Sequence, residues 1–227
     1  LEDYSAPALE PILGTPLLAA IDSHVPQRDV ALFGQAVFPL GERWNLTTGL
    51  RIGNSRIAFE SIAGGLLLTG DPDTGNTIVT TGNIRQTSID PRLALSYQMN
   101  DDTMLYAQAA RGFRTGGPNL TAGLQPQIPT TYKSDSLWNY EVGEKARFRD
   151  NTIQLNSALY MIDWSQIQMS LAVPGAVYIG NAGAARVYGL ETELLALPKS
   201  WLTLGLSASL NHGELTRNVP SLVRVTG

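Results

Sequence analysis

Between Leu137 and Gln168 the chain reads as two long runs in which apolar and polar residues alternate. Successive side chains of a strand point to opposite faces, so this alternation predicts two strands. In the first run Trp138, Tyr140, Val142, Ala146 and Phe148 make an apolar row broken by Glu144, with Asn139, Glu141, Lys145 and Arg147 between them. In the second, Ile153, Leu155, Leu159 and Met161 are apolar, Gln154 and Asn156 lie between them, and Ser157 is the polar exception. A tight turn at Asp150-Asn151 sets Phe148 opposite Ile153, Ala146 opposite Leu155, Val142 opposite Leu159 and Tyr140 opposite Met161. One register superimposes both apolar faces, as a hairpin requires. It also sets Glu144 opposite Ser157, which predicts a local hydrogen bond or a shallow, wet position.

The same hairpin recurs. Val30–Phe38 and Trp44–Ile52 flank a turn at 41–43, Arg92–Gln98 and Thr103–Phe113 one at 100–102, and Tyr188–Ala196 and Leu202–Leu210 one at 198–200. The pattern predicts eight strands in four hairpins over residues 30–215. The hairpins are joined by long connections at 54–87, 114–136 and 169–184. Pro7, Pro11, Pro16 and Pro26 make residues 1–29 read as loop, and 216–227 read as the start of another.

Short turns on one edge, long loops on the other and strands of ~10 residues are the signature of an antiparallel transmembrane β-barrel of the outer-membrane kind. Phe38, Trp44, Tyr97, Phe148 and Trp201 lie near the short turns, and Trp138, Tyr140, Trp164 and Tyr188 near the long loops. Two such belts fit the aromatic girdles of an apolar band ~25 Å tall. A soluble β-sandwich also alternates, but with strands of ~5–6 residues. On this reading 1–29 and 216–227 are extracellular loops, and the apolar row meets outer-membrane lipid. A closed eight-stranded barrel is one possibility; the loop-like beginning and the lack of a final amphipathic strand favour an internal piece of a larger barrel.

Composition adds exclusions. Sixteen basic and 20 acidic residues give a net charge of −4, without the basic face that nucleic acid demands. No apolar run approaches the ~18 residues of a membrane helix. Cysteine is absent, so disulfides and thiolate metal sites are excluded. Glu191 and Glu193 share a face, but no sugar cleft accompanies them, and His24 and His212 are isolated in or beside loops. No catalytic residues, metal ligands or cofactor are assigned, and an enzyme is not expected. The face opposite the apolar row carries Arg51, Arg92, Glu141, Lys145, Arg147, Glu191 and Glu193, the expected lumen lining. Gly49, Gly143, Gly189 and Gly205 fall in the same register and are read as curvature positions.

The segments PRLALSYQMNDDTMLYAQAARGFRTGGPN (91–119), YKSDSLWNYEVGEKARF (132–148), NAGAARVYGLETEL (181–194) and ALFGQAVFPLGERWNLTTGLR (31–51) resemble the barrel of TonB-dependent outer-membrane receptors. Thr115 stands where that family often has proline. The resemblance implies a 22-stranded barrel in a Gram-negative outer membrane, filled by a plug domain and driven by the TonB complex, neither of which lies in this sequence. It implies uptake of a bulky nutrient, chiefly a ferric siderophore; a passive porin or small structural barrel is the alternative. The lumen residues would then face the plug. Long loops on a rigid scaffold are where binding resides, and Arg114, Asn119, Gln125, Tyr132 and Lys133 in the 114–136 loop offer charge, amides and a stacking face to an anionic, oxygen-rich ligand.

Overall fold

The structure, a computed structural model, describes residues 2–5, 17–69, 76–174 and 176–217. Its strands are β1 (Glu2–Ser5), β2 (Leu17–His24), β3 (Gln27–Leu40), β4 (Trp44–Gly64), β5 (Thr77–Asn100), β6 (Thr103–Arg114), β7 (Gly117–Pro118), β8 (Thr131–Tyr132), β9 (Asp135–Phe148), β10 (Ile153–Ser165), β11 (Gln168–Val173), β12 (Ala176–Asn181), β13 (Ala184–Lys199) and β14 (Leu202–Arg217). One helical turn, α1 (Leu66–Thr69), and a 3-10 turn, Ala122–Leu124, complete the described elements. No described helix is long and apolar enough to cross a membrane.

Ten strands form one antiparallel sheet in which β3, β4, β5, β6, β9, β10, β13 and β14 follow one another as neighbours. These are the eight expected strands. The register of the central hairpin is also the expected one, from Phe148↔Ile153 through Val142↔Leu159 to Tyr140↔Met161. Its turn requires left-handed backbone at Asp150 (φ 53°) and Asn151 (φ 65°), which short polar side chains tolerate, and the Thr152 N–H closes it onto the Arg149 carbonyl at 3.1 Å. The sheet does not close on itself among the described residues, and β3 and β14 are each paired on one side only below His24.

Three expectations are corrected. Residues 54–87 are largely strand rather than loop: β4 and β5 run to 21 and 24 residues and stay paired from Trp44↔Tyr97 up to Gly64↔Thr77. Residues 169–184 hold the hairpin of β11 and β12. The region 1–29 contains β1, β2 and the start of β3; its residues 1 and 6–16 lie outside the described set. β2 pairs with the top of β4 (His24↔Glu60) and β3 with the part below (Gln27↔Ile57). Pro26 stands between them; it has no N–H to offer, but its carbonyl accepts the Ala58 N–H at 3.1 Å, so the edge is bridged rather than broken. Residues 216–217 still belong to β14, and 218–227 lie outside the described residues.

Two glycines have a cause other than curvature. Tyr160 is directly opposite Gly189 and Tyr106 opposite Gly143. Each ring lies so close over its glycine that an added Cβ would come within 2.1 Å of Tyr160 or 2.6 Å of Tyr106. The rings cover bare backbone on the polar face. Gly49 and Gly205 meet no such neighbour.

Candidate functional site

The polar face is built from the wall upward. Arg51, Arg92, Glu141, Lys145, Arg147, Glu191 and Glu193 all fall in the register opposite the apolar row Leu46, Leu95, Ala107, Val142, Leu159, Leu190 and Leu210. Several are tied to neighbours. Arg92 donates to Gln108 at 3.0 Å, and Glu141 accepts from Tyr106 at 2.7 Å and Asn139 at 3.3 Å. Glu193 accepts from Asn156 at 3.3 Å, and Arg147 donates to the Asp101 carbonyl at 3.1 Å. Arg51 pairs with Asp90 at 3.3 Å and lies 5.8 Å from the Phe113 ring. Among the described residues, the side chains of Lys145 and Glu191 have no hydrogen-bond or ion-pair partner. Glu144 does face Ser157, but the Ser157 hydroxyl bonds that of Thr192 on the next strand at 3.3 Å instead. The polar exception is therefore a three-strand stripe, Glu144–Ser157–Thr192.

Above the wall a rim is assembled on the same side of the sheet. The odd-numbered residues at the top of β4, namely Gly53, Ser55, Ile57, Phe59, Ser61 and Ala63, are all buried, whereas Asn54, Arg56 and Glu60 between them are exposed. Their cover is the 114–136 segment. Ser61 donates to the Leu120 carbonyl at 3.1 Å, the Gly116 N–H donates to Gln86 at 2.9 Å, and Gly123 sits against Ile78 and Thr80. Ala122 and Ile128 are buried here, and Ile167 and Ala182 flank the second hairpin.

Within the rim, Asp135 is 2% exposed and is the knot. It accepts from Arg114 at 2.6 Å and from the Gln168 N–H at 3.2 Å. The Gln168 side chain then donates to the carbonyls of Thr115 at 3.0 Å and Lys133 at 3.1 Å. Asn181 binds the Lys133 backbone from both sides, accepting its N–H at 2.6 Å and donating to its carbonyl at 2.8 Å. Sequence reasoning missed Asp135, Gln168 and Asn181, since each is an ordinary polar residue at a strand end and only folding brings them together.

The five expected ligand residues divide. Asn119 is 4% exposed and saturated: it donates to the carbonyls of Pro129 at 3.0 Å and Ile179 at 2.9 Å and accepts the Ile179 N–H at 2.8 Å. It staples two loops together and commits both of its amide hydrogens to them. Arg114 pairs with Asp135 through one end of its guanidinium and lies 5.7 Å from the Trp164 ring, with 53% of its side chain still exposed. Gln125 donates to the Pro174 carbonyl, and the Tyr132 ring packs on Gly117. Lys133 alone of the five is held only through its backbone, leaving an exposed ammonium with no side-chain partner among the described residues.

Among the described residues, three buried polar atoms have no hydrogen-bond partner: Ser55 Oγ, Asp90 Oδ1 and Asn139 Oδ1, all on the polar side of the sheet.

The geometry agrees with that of known proteins. Over 166 residues the chain is 24% identical to the pesticin receptor of Yersinia enterocolitica, a match covering 72% of this chain and 23% of that protein. It superposes on the ferric yersiniabactin uptake receptor of Yersinia pestis with a TM-score of 0.74 at 17% identity, covering 94% of this chain and 30% of the receptor. On the ferric-catecholate import receptor of E. coli K12 the score is 0.68 at 14% identity, covering 86% and 29%. The chain thus spans roughly a quarter of the length of the curated relatives it matches. The family model for the TonB dependent receptor-like beta-barrel matches residues 3–225, nearly the whole chain, so the chain belongs to the TonB-dependent receptor β-barrel family.

Proposed function

We propose that this chain is a wall-and-rim segment of an outer-membrane receptor that actively imports a bulky nutrient, with a ferric siderophore as the favoured class. The apolar row meets lipid, the polar face encloses the lumen, and the rim forms part of the extracellular mouth. The observation that carries the reading is that the 114–136 segment packs on the polar side of the extended β4–β5 hairpin rather than on its apolar side. The fold family, and the uptake of ferric chelates by the two receptors it superposes on, support the substrate class. Lys145 and Glu191 stand without a side-chain partner on the lumen face among the described residues, where the plug domain of the full receptor is the natural partner. Energy from a TonB complex belongs to the same reading. The exposed Lys133 is the ligand-facing cation; Arg114, Asn119, Gln125 and Tyr132 hold the rim that presents it. Lys133→Glu in the full-length receptor should sharply lower ferric chelate uptake at unchanged surface level, because an anionic chelate meets repulsion in place of attraction. Unchanged uptake across a panel of ferric chelates would remove this rim from the binding site.

A further inference from the structure

On the opposite, apolar side of the sheet, the register places three arginines in a row. Arg28 of β3 is the cross-strand partner of Arg56 of β4, and Arg56 is the partner of Arg85 of β5. All three are exposed. With strands ~4.8 Å apart the row spans about 10 Å. Like charges set directly opposite one another in a sheet destabilise it, so such a row calls for a compensating anion. The protein supplies none among its described residues: the three ion pairs are Arg51–Asp90, Arg114–Asp135 and Arg186–Asp163. The flanking rows on this face are neutral, with Val30, Asn54 and Thr87 below and Ala58 and Asn83 above. The first carboxylate on the face is Glu60, two rows above Arg56 and opposite His24 and Thr81. Asp29 alternates to the other face and accepts a hydrogen bond from Gln27 at 2.7 Å.

The height of the row is informative. Two rows beneath it the same face carries Leu32, Ile52 and Ile89, which are 79%, 44% and 52% exposed, and its lower end is the Trp44–Tyr97 aromatic pair, with ring centres 4.5 Å apart. From Trp44 to Arg56 the rise is about 30 Å for a strand tilted ~40°, just past an apolar band ~25 Å tall. The guanidinium groups therefore emerge where hydrocarbon gives way to headgroups, on the side of the long loops. Arginine presents a planar fork that matches phosphate oxygens bidentately, and basic clusters at this depth recognise anionic lipid headgroups.

We propose that Arg28, Arg56 and Arg85 form a phosphate-binding row on the outer wall that holds the phosphate-bearing headgroup of a membrane lipid in the leaflet facing the loops. The inference rests on the reading that the apolar row faces lipid and the long loops lie outside. Bound phosphate offsets part of the row's positive charge, and the acyl chains lie against Leu32, Ile52 and Ile89 below it. The row thereby pins the β3–β4–β5 part of the barrel at a fixed depth.

The test uses the full-length receptor that contains this segment, purified as wild type, as a triple Arg→Ser variant at 28, 56 and 85, and as a triple Arg→Lys variant. Native mass spectrometry counts retained lipid, and phosphatidic acid is then titrated against a phosphate-free glycolipid and against inorganic phosphate. Wild type should bind phosphatidic acid about a hundredfold more tightly than the serine variant, from roughly fivefold per arginine near a lipid surface. The lysine variant should fall between, keeping charge but losing the bidentate fork. Equal binding by wild type and the serine variant overturns the proposal, as does inorganic phosphate competing as well as the lipid. Heat-modifiable migration reports assembly for each variant, and surface labelling of the 114–136 loop on cells reports orientation. A barrel that assembles with its loop outside yet shows no lipid preference sinks the phosphate row alone; a loop that labels from the inside sinks the reading beneath it.

Discussion

On the spanning part of the sheet Leu159, Val142, Leu206 and Leu210 are 57%, 53%, 67% and 71% exposed, whereas higher on β4 Ile57, Phe59 and Ala63 are 5%, 4% and 3% exposed. The wall has almost no core of its own; of the buried apolar side chains only Ala146 lies in it. Its backbone is satisfied by continuous ladders, and in a membrane its apolar face is completed by lipid. The rim is a small conventional core, sealed by loop-to-strand hydrogen bonds through Asp135, Asn119 and Gln168. On the proposed reading the same strands thus pass from a region solvated by hydrocarbon to one that must bury itself in protein. The difference teaches that exposure measures different things in the two regions: in the wall, on the proposed reading, it marks a face that lipid would cover, and at the rim it marks surface.

The sharpest way to break this comparison is to truncate the rim core. Phe59→Ala should cost the rim about 3–5 kcal/mol. Limited proteolysis should then cut within 115–131, while the barrel keeps its heat-modifiable migration; loss of the whole barrel would show that the two regions are not separable. Nearly as large is Leu159→Arg. For a side chain already 57% exposed, a soluble protein would register a change within about 0.5 kcal/mol. At the bilayer midplane the expected loss is about 2–4 kcal/mol, read from denaturant unfolding in lipid vesicles. A near-neutral result would deny Leu159 its lipid contact.

Within the wall, on its polar face, sits the Tyr160–Gly189 pair. Gly189→Val drives a side chain into the ring and should destabilise the wall by about 1–3 kcal/mol, with Tyr160→Ala in the same molecule recovering most of the clash. Absence of recovery would mean that the glycine serves a backbone need. Smallest and most local is Asn119→Ala, which leaves the Ile179 amide unsatisfied and should cost about 1–3 kcal/mol at the rim. Hydrogen exchange should quicken at Ile179 and Asn119 and stay unchanged in β9 and β10; uniform quickening would contradict a local staple.

Much of the wall was legible because strand period, turn chemistry and aromatic placement all report one face against another. Phe148↔Ile153 follows from the alternation alone, and Asp150-Asn151 is a turn by its side chains. The upper halves of β4 and β5 were not legible. Ser55, Ser61, Thr80 and Ser88 are buried there beside Ile57 and Phe59, so polar and apolar residues share a face and the alternation of hydropathy vanishes. Proline counts misled in residues 1–29, because an edge strand tolerates Pro26 when its carbonyl still pairs.

By itself the sequence determined the eight spanning strands, their order and central register, and which wall residues share the polar face. Period-two patterning is a local property, and lipid selects for it strand by strand. Only the tertiary structure decided what the loops do. Asn119 and Arg114 carry the chemistry of ligand contacts, yet Ile179 and Asp135, 60 and 21 residues away, claim their hydrogen bonds. Likewise Arg28, Arg56 and Arg85 are three scattered cations until two registers align them. A polar side chain's role depends on which partner reaches it first in space, and that distance is not written in its neighbours along the chain.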